Sequence, residues 1–486
     1  MPPMTDDTAN TDDSDNPDNP DDEAGEGPPR GRLRQWLTDS GRAIWVRRTA
    51  FAAFGTGALT GILLTSLAVN GWPLPADNSL DGDVLVVLSG KDDGVGEQRQ
   101  RLIATWNALH PDQQAQIKVL PASADKQHSE MRRRAQSDLH DVDVFNLDVT
   151  WTAEFAAAGF IRPLKGVDES GFLGKPLETC RYEGTLWALP FNTDAGLLFF
   201  RPQRLRQAYS DEDWKREADP KAHPPTWDGI RRATDAVFAA SRPAGDALQA
   251  GYTGQFFNYE GLTVNAMEAV WEAGGQVVDD DGNMALDSED ARRGIRSLVK
   301  GFADSRIILP DARQELEADS TTAFKDGRVL FMRNWPVAYR QLKERSTDAG
   351  PSSTASDFDV TTLPGPSALG GQNLAVASES RHPEAARELI EFLTGEASQQ
   401  VLFQDGGLAA TRLRTYQDPQ IRSSYPYAAT LLTAIGDAEL RPVTPHYWVF
   451  SQVFRKVVTE VLDGGGEVTQ EQIDRLQRAL KGKETP

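Results

Sequence analysis

The chain has 486 residues and a formal net charge of −21, long enough for two or three domains with a core in each. The charge is uneven: residues 1–29 hold ten Asp/Glu and no Lys or Arg, residues 30–48 hold six Arg against Asp39, and Thr49 to Ala76 hold none, leaving −16 on the remainder. A body that acidic argues against nucleic acid as a partner, because phosphate binding needs a basic face.

The opening stretch TDDTANTDDSDNPDNPDDEAGEGPP offers almost nothing apolar to bury. Residues 1–50 are therefore expected to form a disordered acidic tail followed by a basic juxtamembrane segment. FAAFGTGALTGILLTSLAV (51–69) follows; as a helix it would rise about 29 Å, against a hydrocarbon core of about 30 Å. Arginines before it and acidic sequence beyond it place the N-terminus in the cytoplasm and the rest outside. The expectation is a single-pass anchor at 51–72, a linker at 73–82 and an extracellular body. A cleavable signal is the rival, with SLA (66–68) as the cleavage site, but about fifty residues ahead of the apolar core is too long for an ordinary signal. Cys180 is the only cysteine, so no intramolecular disulfide forms and none near the apolar segment carries a lipid.

Strand and helix signals then alternate. DVLVVLSG, QIKVLPA and VDVFNLD read as strands. GEQRQRLIATWNALHP reads as a helix stopped by Pro111, and KQHSEMRRRAQSD as a polar helix. This order predicts right-handed crossovers and a parallel or mixed sheet covered by helices, with ligands beyond the carboxyl ends of its strands. Asp148 and Trp151 stand at such an end, as do Ser89 and Gly90. Further on, LLFFR, GRVLFMRN, FDVTTL and NLAVAS are strand candidates. TWDGIRRATDAVFAAS, NYEGLTVNAMEAVWEAG, SEDARRGIRSLVKGF, PEAARELIEFLTG and QIDRLQRAL are helix candidates. About 400 residues outside the membrane exceed one ordinary core and predict two lobes.

The six histidines are scattered without metal-ligand spacing. DDDGNMALDSED (279–290) fails as a calcium loop: Gly282 at the sixth position puts Val277 first, where an acid is required, so a polar hairpin is expected. No nucleotide or nucleophile motif sits at a strand–helix junction. Asp148, Asp194 and Glu260 near aromatic rings suit a glycosidase pair or a sugar-binding site. In the second case, carboxylates and amides bond hydroxyls while Trp or Tyr faces cover pyranose rings. Trp151, Trp187, Trp335 and Trp448 are candidate rings.

Seven segments in order carry a resemblance: LDVTWTAEFAAAGFIRPL, GTLWALPFNTDAGLLFFRPQRL, GQFFNYEGLTVNAMEAVWEAGGQVVDDDGNMALDSEDA, AFKDGRVLFMRNWPVAY, LPGPSALGGQNLAV, PEAARELIEFLTGEASQQ and RPVTPHYWVFSQVFRKVV. Residues 83–480 resemble the extracellular solute-binding proteins of ABC importers, the group that includes maltose- and trehalose-binding proteins. The resemblance implies a two-lobed α/β fold of the maltose-binding-protein type, with lobe 1 at 83–195 and 365–412 and lobe 2 at 196–364 and 413–486. It implies a small-molecule solute, a saccharide or polyol, with ABC permease subunits as partners, no cofactor, no metal and no catalysis. Its ligand-binding residues would be Asp148, Trp151, Asn192, Asp194, Glu260, Asn334, Trp335, Gly371, Gln372, Arg441 and Tyr447. Gly370 and Gly371 would let backbone approach the ligand. Where the family often reads Gly-Gly-Trp this chain has GGQ, so Gln372 puts an amide where a stacking ring is usual. The alternatives are a ligand sensor reporting to a membrane kinase and, further off, an anchored glycosidase.

Overall fold

A computed structural model describes residues 80–485 apart from 81–82, 92–93, 95, 122, 138, 224, 241–244 and 348–356. The tail, the apolar segment and nearly all of the linker expected before residue 80 lie outside the described residues. Among those described, no helix is long and apolar enough to cross a membrane.

Two sheets organise the chain. The first has strand order β2-β1-β3-β11-β6. β1 (Leu85–Ser89), β2 (Ala115–Val119) and β3 (Val144–Asp148) are parallel, joined by the helices Gln98–Leu109 and Ala124–Ala135. β11 (Leu369–Val376) runs antiparallel to both β3 and β6 (Leu189–Ala195). The run VFNLD is buried at four of its five positions, as a central strand covered on both faces must be. In the first crossover helix Leu102, Ile103 and Trp106 face inward as their spacing predicts, and the helix ends at His110 before Pro111. Trp106 donates its indole N–H to the Gln113 carbonyl at 2.6 Å, so a large ring is buried without an orphan donor.

The second sheet has strand order β10-β7-β9-β8. β7 (Leu197–Phe200) is antiparallel to β9 (Val329–Asn334) and β10 (Asp359–Thr362), while β8 (Ala250–Thr253) is parallel to β9. The helix Glu260–Glu272 is buried continuously from Gly261 to Val270, so it forms the centre of this half. The helix Glu289–Ala303 meets it through Gly294, where a Cβ would lie 2.2 Å from the Ala269 carbonyl oxygen. The helix Tyr447–Gly464 packs on the same central helix.

A single residue, Gly196, separates β6 in the first sheet from β7 in the second, and residues 363–368 lead back from β10 to β11. Asp148, Gln372 and Asn192 lie side by side across the first sheet, and Leu197 lies opposite Asn334 in the second. Residues 279–283 form the expected polar hairpin, the Asp279 carboxylate accepting from the amides of Asp281 and Asn283. Cys180 is fully buried, which pushes its thiol pKa up.

Several elements escaped the sequence reading, β8 and the helices Glu317–Lys325 and Ala428–Asp437 among them. β6 contains Pro190, which suits an edge strand, and β6 closes the sheet. β11 starts four residues before NLAVAS because Gly370 and Gly371 pair as strand despite carrying no side chain. The eighteen-residue helix from Tyr447 was not among the helix candidates.

Candidate functional site

Asp148 ends β3, and its Oδ1 accepts from the backbone N–H (2.9 Å) and hydroxyl (2.7 Å) of Thr150, which turns the chain into the helix Thr152–Ala157. Glu260 opens the central helix of the other half, where the helix dipole favours a carboxylate. Arg441 joins the two. It donates through Nη1 to Glu260 Oε1 at 2.7 Å and through Nη2 to Asp148 Oδ1 at 3.2 Å and the Leu369 carbonyl at 3.4 Å. Its Nε is buried with no hydrogen-bond partner among the described residues. Tyr447 donates its hydroxyl to Glu260 Oε1, and Ser451 donates to Oε2 at 2.6 Å.

The Arg441 side chain is 3 % exposed, whereas Asp148 and Glu260 keep 25 % and 21 %. The cation is sealed, but each carboxylate retains an edge toward solvent. Burial by itself would depress the Arg441 pKa; the charges of Asp148 and Glu260 and the Tyr447 oxygen reverse this and raise it. Burial, then Glu260, pushes the Tyr447 hydroxyl well above its usual range, so it stays a donor.

A second group surrounds Gln372. Its Oε1 accepts from Arg99 Nη2 at 3.0 Å, and the same guanidinium reaches Asn192 Oδ1 at 3.4 Å and Ser89 Oγ at 3.3 Å. Asn192 in turn donates to Asp194 Oδ2 at 3.4 Å. Arg99, which the sequence reading took only as part of a helix, thus ties the end of β1 to the middle of β6 and of β11. Its inward position among Leu102, Ile103 and Trp106 was the one available signal.

Trp151 is buried at 5 % exposure rather than standing open as a wall. His128 meets its ring edge-on at 5.2 Å, and His128 itself stacks on Trp448 at 4.2 Å and 16°. His128 Nε2 lies 2.7 Å from Glu154 Oε2, which Arg132 also approaches at 3.4 Å. Asn334 turns inward: its Nδ2 donates to the Glu317 carbonyl (3.1 Å) and Thr321 Oγ1 (2.9 Å), and its Oδ1 accepts from the Trp335 amide (2.8 Å). That amide is spent on holding a turn. Trp335 is half-buried, with Arg333 over its ring at 3.8 Å and Gly370 close by, where a Cβ would sit 3.2 Å from the indole. Gly371 has φ +114°, and a Cβ there would lie 2.2 Å from the Asn192 carbonyl oxygen.

A small pocket of about 20 Å³ lies beside Arg441, lined by Thr150, Thr179 and Arg181 with Val149, Leu369 and Val443. Among the described residues no group of three or more His, Cys, Asp or Glu is placed to hold a metal ion.

Two α/β halves are joined by short crossovers, and polar side chains from both converge at Arg441, the arrangement of a two-lobed protein that can hold a small solute between its halves. Residues 92–400 match the sequence pattern of the bacterial extracellular solute-binding proteins, and the chain belongs to that family. It is 27 % identical over 358 residues to a probable ABC transporter-binding protein of Deinococcus radiodurans, covering 71 % of this chain and 80 % of the relative. A mannitol-binding protein of Pseudomonas aeruginosa is 22 % identical over 358 residues, covering 69 % and 75 %. Among solved structures, maltose-bound MalE3 of T. maritima superposes with a TM-score of 0.68 at 27 % identity, covering 82 % of this chain and 99 % of that one. The GacH receptor of Streptomyces glaucescens GLA.O gives 0.67 at 21 % identity, covering 82 % and 98 %, and so shares the fold.

Proposed function

We propose that the chain captures a sugar or related polyol between its lobes and delivers it to an ABC permease, held at the outer membrane face by residues 51–69 with the N-terminus in the cytoplasm. The observation that carries the solute reading is Arg441, a buried cation between one carboxylate from each half. Both carboxylates keep a solvent-facing edge that accepts hydroxyl hydrogens, and Trp335 lies at the junction as an apolar face for a ring. The relatives' names, a mannitol-binding protein and a maltose-bound one, support the same solute class. In this reading lobe 1 comprises 83–195 and 365–412, lobe 2 comprises 196–364 and 413–486, and the eleven residues assigned from the sequence face the cleft or hold those that do.

Closure works as a population shift. A solute touching residues of both lobes at once binds the closed form better, and shifts the equilibrium by that difference in affinity. The test is a thermal-shift screen of mono-, di- and trisaccharides and sugar alcohols against amino-acid, peptide and polyamine controls. A solute at a hundred times its Kd adds about 2.7 kcal/mol of stability. A shift with sugars or polyols alone supports the reading; a shift with amino acids or polyamines alone rejects the solute class and leaves the fold intact.

A further inference from the structure

Directly beneath Trp335 lies an ion pair that the solute-binding reading leaves unused. Arg333 and Glu268 are joined by two hydrogen bonds, Nε to Oε2 at 3.0 Å and Nη2 to Oε1 at 2.7 Å, with side chains 1 % and 9 % exposed. Arg333 Nη1 also donates to Gln255 Oε1 at 3.2 Å, and Gln255 returns a bond from Nε2 to the Arg333 carbonyl at 3.0 Å. Burial of that order would by itself lower the Arg333 pKa; the Glu268 charge and hydrogen bond outweigh it and raise the value. A buried pair of this kind is not needed for stability, since well-packed apolar residues of equal volume often do as well. Its placement points to another role.

Both crossovers between the lobes rest on it. On the outward path a Cβ at Gly196 would lie 2.9 Å from Arg333 Nη2, from Glu268 Oε1 and from a methyl of Leu363, so bare backbone sits against the pair. On the return path the Ala368 amide donates to Glu268 Oε1 at 3.1 Å. On the other side the guanidinium carbon lies 3.8 Å from the centre of the Trp335 ring, and the ring reaches over to Gly370 in β11 of the first sheet. A planar guanidinium can form the two-pronged bond and the stack together; an ammonium cannot.

We propose that Arg333 and Glu268 are positioning residues of the cleft, fixing the Trp335 ring against β11 and tying both crossovers to one buried point, so that aromatic wall and hinge share a single setting. The proposal deepens the solute-binding reading and rests on it for the meaning of the cleft, but its test adds no solute, so the two fail separately. Hydrogen exchange is followed by mass spectrometry on the full chain as wild type, as Arg333→Lys and as the double variant Arg333→Met with Glu268→Met. The double variant leaves no unpaired charge and so guards against simple misfolding. Both variants are expected to speed exchange at least tenfold in segments 193–198 and 363–370 while β1 and β3 keep wild-type rates. Acrylamide quenching of the Trp335 emission, isolated by subtracting a Trp335→Phe background, is expected to rise at least twofold. Acceleration spread evenly over the chain, or wild-type exchange at both crossovers with unchanged quenching, would overturn the proposal.

Discussion

Replacing Arg441 with Met tests whether one buried charge sets the equilibrium between the lobes. The guanidinium is 3 % exposed and bonds Glu260 at 2.7 Å and Asp148 at 3.2 Å, one from each half of the fold. Removing one partner from a buried charged network costs about 3–5 kcal/mol, because the remaining charges stay desolvated. Here the two carboxylates keep 25 % and 21 % exposure. Water recovers part of the loss, and about 3 kcal/mol is the reasonable figure. The two acids are then like charges across the junction with no cation between them, so the loss acts against closure. At 1.4 kcal/mol per decade it shifts the open-to-closed ratio by roughly a hundredfold. The assay is the distance between spin labels at Val119 and Lys300, exposed positions in the two halves, on cysteines introduced there; the native Cys180 is buried and stays unlabelled. The Met variant is expected to show a longer distance without solute, and Arg441→Lys an intermediate one. Wild-type distances in the Met variant would refute the argument that Arg441 couples the halves.

Gly371→Ala places a Cβ 2.2 Å from the Asn192 carbonyl oxygen at φ +114°. It should cost about 3 kcal/mol in urea unfolding, and a loss below about 0.5 kcal/mol would mean that β11 yields freely. The 4.2 Å stack of His128 on Trp448 predicts a coupling of about 1 kcal/mol in a double-mutant cycle of the two alanine variants, and additive effects would contradict it. Hydrogen bonds from Arg133, then Arg134, hold the Glu130 carboxylate at about 2, below its usual 4.5. A folded-state pKa below the unfolded one makes this contribution complete above about pH 4.5 and lost as pH falls toward 2. An NMR titration of Glu130 with a midpoint near 4.5 would remove it.

Much of this protein was legible in its sequence because periodicity is a local property. A buried strand such as VFNLD, a helix stopped by Pro111 and the helical pattern of NYEGLTVNAMEAVWEAG announce themselves within a short window. The family resemblance carried by seven segments in order implied two lobes and named Asp148, Glu260, Arg441 and Tyr447, which the fold gathers into one network although 293 positions separate Asp148 from Arg441. What sequence could not decide was how polar side chains divide their bonds. Asn334 looked as available as Asp148, yet its amide is used up by a turn, while Trp151 lies edge-on to His128 under cover. Arg99 and Arg333 resembled ordinary members of a helix and a strand, and only the meeting of β1, β6 and β11, and of the two crossovers, gave each its partners. Hydrogen bonds and ion pairs act over about 3 Å. Which groups come that close is settled when the sheets assemble, after the local pattern has said all it can.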